Sequence, residues 1–223
     1  MKKQRLQRLA SLAAAALALA VAGSIAMGAT NALFHSTMSA SANTFAAGTV
    51  TVDAGTPASV TCAVTTMMPG DSSTGFGSGS QALAKCSYKV KYTGTAGAWL
   101  ALDATVNGGT PNLFTASTSG LQFKVSVNGG ADMITGTTYK TADGTNTSIA
   151  SGTAVTNLLI NSVQAATNSE YSIDVEYALP WLAPNSLQGG TASLGLTFHA
   201  TQSANNPLGS CVVNRQCSTV TWS

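Results

Sequence analysis

The chain has 223 residues, 44% hydrophobic and only 8% charged, with a formal net charge of +2. Apolar β-formers are plentiful and regularly placed, which excludes a disordered chain. The basic residues are few and scattered, which excludes a nucleic-acid surface.

The first eight residues hold Lys2, Lys3, Arg5 and Arg8, and the uncharged run Leu9 to Ala29 follows. A basic stretch, an apolar stretch and small residues after it read as a secretory signal over residues 1–32. A membrane anchor is the alternative reading, since the run is about long enough to span a bilayer, but it is mostly Ala. Cleavage after Ala32 places Thr30 and Ala32 at the small-residue positions; cleavage after Ala29 is the neighbouring alternative. The signal carries four of the ten basic residues and none of the eight acidic ones, so the mature chain has six against eight, a net of −2. Any membrane contact is expected only through the uncleaved signal. Low charge leaves little repulsion between copies, which favours self-association.

After residue 45 the pattern is alternating rather than helical. "GTVTVDAG" and "ASVTCAVTT" read as strands, and "MMPGDSSTGFGSGSQ" as a long loop. In "ALAKCSYKVKYTG", Cys86, Tyr88, Val90 and Tyr92 share one face; "AWLALDATV" is a further strand. "LQFKVSVNGG" places Leu121, Phe123, Val125 and Val127 on one face and turns at Asn128-Gly129 into "ADMITGTTYK". "TADGTNTSIASG" is turn-rich, and "AVTNLLINSV" fits a short helix or a buried strand. "YSIDVEYALP" turns Tyr171, Ile173, Val175 and Tyr177 inward and Asp174 and Glu176 outward. "ASLGLTFHATQ" buries Leu194, Leu196, Phe198 and Ala200, and "CVVNRQCSTVTW" closes the chain as a hairpin around Asn214-Arg215. These are roughly nine or ten short strands between turns, the signature of an all-β antiparallel sandwich over residues 45–223.

Four cysteines in an exported chain predict two disulfides. Of the three pairings, Cys62–Cys86 and Cys211–Cys217 are favoured; the first closes a loop worth about 3 kcal/mol by chain entropy, and the second pins the terminal hairpin. The spacings contain no CxxC pair, and His35 and His199 are the only histidines, so zinc is not expected.

No catalytic pattern stands out. H-E-x-x-H and G-x-S-x-G are both missing. His199 alternates outward from Phe198 and reads as a surface or sheet-edge residue. Asp174 and Glu176 share a strand face, but paired carboxylates need a cleft to act on a glycoside. Asp143 offers one carboxylate to a turn where calcium wants several oxygens. Of Trp99, Trp181 and Trp222, only Trp181, in the Pro-bracketed "LPWLAPN", stands out as an exposed contact. No catalytic residue, cofactor or metal is expected.

Three segments resemble the TasA and camelysin family of exported Gram-positive proteins. "ALFHSTMSASANTFAAGTVTV" carries Phe34, then Thr44, Phe45, Gly48 and Thr49 of a Thr-Phe-x-x-Gly-Thr pattern. "MMPGD" carries a Pro69-Gly70-Asp71 turn. "NSLQGGTASLGLTFHATQ" is similar to an Asn-x-Tyr-Gln-Gly turn and the strand after it, with Gln188, Gly189 and Gln202 matching and Leu187 replacing the Tyr. The segment after Gln202 and all four cysteines fall outside the resemblance.

The resemblance implies a jelly-roll-like sandwich with an N-terminal signal helix, processed by a dedicated signal peptidase. It implies a secreted protein of the cell surface or biofilm matrix whose partner is itself. In TasA-like members the mature N-terminal segment of one subunit completes the sheet of the next. Here that segment is residues 33–44, with Phe34, Met38 and Ala40 among the residues of one face when extended. Burying Phe34 and Met38 contributes about 3–6 kcal/mol before ordering costs. No proline or charge opposes edge pairing there. Phe45 anchors the entry to the domain, and Ala46, Ala47 and Gly48 let the backbone bend. A free stub left by cleavage is the alternative for residues 33–44. For the whole protein, the alternatives are a camelysin-like surface metalloprotease, although this chain shows no metal-ligand set, and a monomeric adhesin binding glycan through Trp181.

Overall fold

The computed structural model describes residues 35–37, 52–53, 59–76 and 82–222. The signal segment, Phe34, Met38, Ala40, Phe45, Gly48 and Thr49 lie outside the described residues. The described chain is all-β apart from one turn of 3-10 helix, Asn185–Leu187. Its strands are β1 (His35–Thr37), β2 (Val52–Asp53), β3 (Ser59–Thr65), β4 (Ser72–Ser73), β5 (Ala82–Leu83), β6 (Cys86–Tyr92) and β7 (Ala98–Gly108). They continue with β8 (Gln122–Val127), β9 (Asp132–Gly136), β10 (Thr138–Lys140), β11 (Asn146–Ser148), β12 (Ala154–Leu159), β13 (Glu170–Ala178) and β14 (Thr191–Gln202).

They form two sheets. The five-stranded sheet runs β1-β14-β7-β12, with β3 also on β14. The nine-stranded sheet runs β11-β10-β9-β8-β13-β4-β5, with β6 on β13 and β2 on β6. All pairs are antiparallel except β4 with β5. Inward positions of both sheets feed one core. Leu100, Leu102, Val106, Leu194, Leu196 and Phe198 come from the first sheet, and Val90, Tyr92, Phe123, Val125, Ile173 and Val175 from the second. Each such side chain contributes about 1.5–3 kcal/mol when fully buried. The alternation expected for "LQFKVSV", "YSIDVEY" and "ASLGLTFHATQ" is the burial alternation of β8, β13 and β14. The architecture is β-sandwich-like.

Both predicted disulfides are present. Cys62 lies in β3 of the first sheet and Cys86 in β6 of the second, so this bond ties the two sheets together.

The structure corrects the sequence reading at some places and completes it at others. The segment 67–81, expected as a loop, contains β4, which bridges Ala178 of β13 and the β5 pair. Ser72 and Ser73 are buried there, and the Ser73 hydroxyl accepts a hydrogen bond from the Tyr177 N–H at 2.8 Å. "ADMITGTTYK" is not one strand but a tight hairpin, because Gly136 turns the chain at φ +68°. "AVTNLLINSV" is a strand, β12, with a bulge between Val155 and Leu158 where Asn157 adopts φ +62°. Asn157 in a left-handed conformation is what excludes the helix. The C-terminal segment contains no strand pair around Asn214-Arg215. Instead it lies along the free edge of β12: Leu159 N–H donates to Arg215 O, Asn214 N–H to Leu159 O and Cys217 N–H to Asn157 O. Gln216 N–H donates to Lys140 O of β10, so the segment also bridges to the second sheet. A buried strand edge needs partners for its backbone groups, and the terminal segment supplies them. Finally, the outer face of the first sheet is partly covered. Leu159, Cys217 and Val220 form a second small core with Leu208, Cys211, Val213 and Trp222.

The loops gather at two poles. Segments 93–97, 161–169 and 203–207 meet at the first, where β14 ends and β13 begins. Segments 66–71, 109–121 and 179–190 meet at the second, where β13 ends and β14 begins.

Candidate assembly interface

β14 carries β7 along one edge from Ala192 to Gln202. Its other edge is shared. β3 covers Thr191 to Thr197, and β1 continues in the same direction, pairing His35 with Thr201, Ser36 with Ala200 and Thr37 with His199. The N-terminal strand therefore fills a slot that β3 leaves open. The predicted strand contacts Phe34, Met38 and Ala40 flank these three residues in sequence but fall outside the described residues.

Two of the three family-like segments meet at the second pole. Met68-Pro69-Gly70-Asp71 is a tight turn closed by Asp71 N–H to Met68 O at 3.0 Å, with Gly70 at φ +95°. Pro before a residue of positive φ is the requirement of a type II turn. Asp71 is buried, and its Oδ2 accepts the Met68 N–H at 2.8 Å. Gly70 N–H donates to Leu179 O, and Leu179 N–H to Asp71 O, which ties the turn to the segment after β13. The Trp181 ring lies against Gly70 so closely that a Cβ would sit 2.7 Å from it. Asn185–Leu187 makes its 3-10 turn nearby, with Leu187 buried, and Gly189 at φ +74° turns the chain into β14. Gln188 is exposed. Gln202 sits at the opposite pole, opposite Ala98 in the ladder, and its carbonyl accepts Asn206 Nδ2 at 3.0 Å. Of these described motif residues, Gln202 ends strand β14 and the others lie in turns.

The outer face of the nine-stranded sheet carries the charges. Asp174 accepts the Ser87 hydroxyl at 2.6 Å and pairs with Lys85 at 2.9 Å. The Ser87 hydroxyl is the main cause that holds the Asp174 carboxyl below the usual carboxylate range, and Lys85 adds to it against partial burial. The hydrogen bond to Asp174 in turn raises Lys85. A glycosidase acid needs its carboxyl raised, and Asp174 is shifted the other way. Glu176 faces Lys124 across the β13–β8 pair. Asp143 caps its own turn: Thr141 Oγ1 and Thr145 N–H donate to its Oδ1, and its pKa falls to about 2.

His199 is not the surface or sheet-edge residue that alternation suggested. It lies on β14 between β7 and β1, with its side chain only 12% exposed and Nε2 2.9 Å from Asp103 Oδ2. Asp103 Oδ1 also accepts the Asn157 N–H at the β12 bulge, at 2.7 Å. The pair went unnoticed in the sequence because Asp103 and His199 are far apart in the chain. Only the β14–β7 register, with Thr197 opposite Asp103, brings them together.

The three tryptophans divide as expected for Trp181, which is 70% exposed. Trp99 is buried and donates Nε1–H to Asn206 O at 2.7 Å, while Trp222 packs in the small C-terminal core. Tyr92 is fully buried, its hydroxyl donates to Ala96 O, and burial pushes its pKa up to about 12. Among the described residues no group of three or more His, Cys, Asp or Glu side chains could hold a metal ion. Among them, too, no helix is long and apolar enough to cross a membrane. Two closed disulfides point to folding in an oxidising, extracellular environment. No family model, curated protein or solved structure matches the chain.

Proposed function

We propose that the chain is a secreted structural subunit that assembles with copies of itself into extracellular fibres, on a jelly-roll-like sandwich of the TasA kind. The observation that carries this reading is the slot on β14 beyond Thr197, filled by the three-residue strand β1 in tandem with β3. A strand from a second copy can make the same ladder in the same slot. The exchange keeps every backbone hydrogen bond, so local concentration and the fit of flanking side chains decide between the two arrangements. Signal removal near Ala32 leaves residues 33–44 as the mature N-terminus, ready for that exchange. In trans, Phe34 and Met38 serve as anchors, and the metalloprotease alternative lacks a ligand set among the described residues.

Negative-stain electron microscopy of two purified forms, one beginning at Leu33 and one at Phe45, tests the reading. Fibres from the longer form alone are expected. Fibres from both move the contact away from the N-terminal strand. Globular monomers from both, at high concentration and after seeding, overturn the structural role.

A further inference from the structure

The segment 208–222 is a clasp rather than a strand. Among the described residues no helix or strand follows Gln202. The apolar side chains of this segment pack apart from the main core, with Leu159 as their foothold on the sandwich. Cys211 and Cys217 belong to that small cluster, so the bond between them both closes the segment and fills its core. The clasp grips β12 where the strand is irregular. Val155 stands opposite Ala104 and Leu158 opposite Leu102, so Thr156 and Asn157 together face Asp103. Gln216 Nε2 donates to Thr156 O at 3.1 Å, and Cys217 N–H donates to Asn157 O at 2.8 Å. Asn157 is held from its other side by Asp103 Oδ1, which accepts its N–H at 2.7 Å. A non-glycine residue at φ +62° keeps that conformation because its surroundings fix it. Asp103 Oδ2 lies 2.9 Å from His199 Nε2, and His199 stands opposite Thr37 of β1. An unbroken line of contacts therefore runs across the first sheet, from the C-terminal disulfide to the N-terminal strand.

We propose that the Cys211–Cys217 clasp and the β1 slot are coupled through the Asn157 bulge: with the bond closed, the bulge holds Asp103 against His199 and β1 is gripped, and with the bond open β1 leaves its slot more readily. The grip is a property of one subunit. Only its consequence, that the clasp sets how easily the strand exchanges between copies, rests on the fibre reading. The two-state element is the bulge. Both of its residues accept a hydrogen bond from the clasp, so an open clasp leaves Asn157 braced by Asp103 alone. Relaxation of Asn157 out of its left-handed conformation withdraws the N–H that fixes Asp103, and Asp103 then positions His199 less firmly. Coupling of this kind needs an element with two arrangements that both sites bias, which the bulge supplies. A dithiol opens the clasp. Its thiolate attacks the sulfur of half-buried Cys211, the S–S bond breaks, and Cys217 leaves as a thiolate and takes up a proton. The second thiol then displaces Cys211, so two electrons pass to the protein and the reductant ends as a disulfide. The small cluster around Cys217 opens locally, whereas Cys62 lies wholly inside the main core, so the clasp is the bond that yields first.

Native-state amide exchange on the exported chain tests the coupling, with the wild type compared against the double variant Cys211→Ser with Cys217→Ser. Exchange at residues 199–201 is expected to quicken about fivefold or more in the variant. Residues 192–197, covered by β3, and residues 122–127 of β8 keep their protection. In an Asp103→Ala background, opening the clasp changes residues 199–201 less than about twofold, because the line of contacts is already cut. The wild type held in dithiothreitol gives the same result without any substitution, with alkylation and mass spectrometry showing that Cys211 and Cys217 are free while Cys62 and Cys86 stay bonded. Unchanged exchange at 199–201 overturns the coupling. Equal quickening in the Asp103→Ala background overturns the route through Asp103, and equal quickening at 122–127 overturns it as a general loosening of the sandwich. Fibres that form at one rate with the clasp open or closed, while 199–201 quickens, leave the coupling standing and sink strand exchange as the assembly step.

Discussion

Replacing Cys62 and Cys86 together by alanine tests whether the sheet-to-sheet disulfide holds the sandwich together. The bond spans 24 residues of sequence. Closing a loop of that length removes chain entropy worth about 3 kcal/mol from the unfolded state. Cys62 is fully buried between the sheets, so the substitution also removes sulfur contacts from the core. A single domain has about 5–15 kcal/mol in total, so this is a large fraction. With a urea slope of about 1–3 kcal/mol per molar, the midpoint falls by about 1–3 M. The assay is equilibrium urea unfolding followed by intrinsic fluorescence, with wild-type and doubly substituted proteins compared at equal slope. The same experiment on Cys211→Ala with Cys217→Ala provides the contrast. That bond closes only six residues and braces the C-terminal segment over β12, so proteolysis there rises more than global stability falls. A shift below about 0.5 M for the Cys62 and Cys86 pair refutes the reasoning, because it means the two sheets are held by packing alone.

Gly70→Ala places a Cβ at φ +95° and against the Trp181 ring, so it destabilises by about 1–3 kcal/mol and shifts Trp181 fluorescence; an unchanged midpoint argues against the turn as described. Asp103→Ala removes the acceptor of the Asn157 N–H and the partner of His199, and lowers stability by about 1–3 kcal/mol in the same urea assay. Asp143 has a folded pKa depressed to about 2, so its turn bonds are complete above the ordinary carboxylate range and are lost as pH falls through about 2. Carbon-detected NMR titration follows it, and Thr141→Val moves the midpoint upward towards the ordinary value; no movement contradicts the hydroxyl as the main cause. Removing residues 1–44 strips β1 from β14, so amide exchange at residues 199–201 speeds up while residues 192–197, still covered by β3, keep their protection.

Much of the fold was readable from period alone. A strict alternation such as Phe123, Val125 and Val127 against Lys124 and Ser126 has one solution when one face is buried. Sites where the backbone leaves that period were harder. The Asn157 bulge breaks alternation inside "AVTNLLINSV", which is why a helix remained open there. Ser72 and Ser73 look like loop residues because their hydrogen bonds come from strands distant in sequence. The family-like Pro-Gly-Asp and Gln-Gly residues were visible as turns. That they share one pole with Trp181 was not, since a turn signal is local and carries no information about its neighbours.

From the sequence alone came the low charge, the all-β class, the favoured cysteine pairing and the inward faces of the long strands. All of these depend on composition or on contacts close along the chain. Only the tertiary structure decided that Cys62–Cys86 joins opposite sheets, that Asp103 meets His199 and that the C-terminal segment guards the β12 edge. It alone also brought Trp181 against the Gly70 turn. Each of those depends on the register and order of strands far apart in sequence, and one alternating pattern is compatible with many such orders.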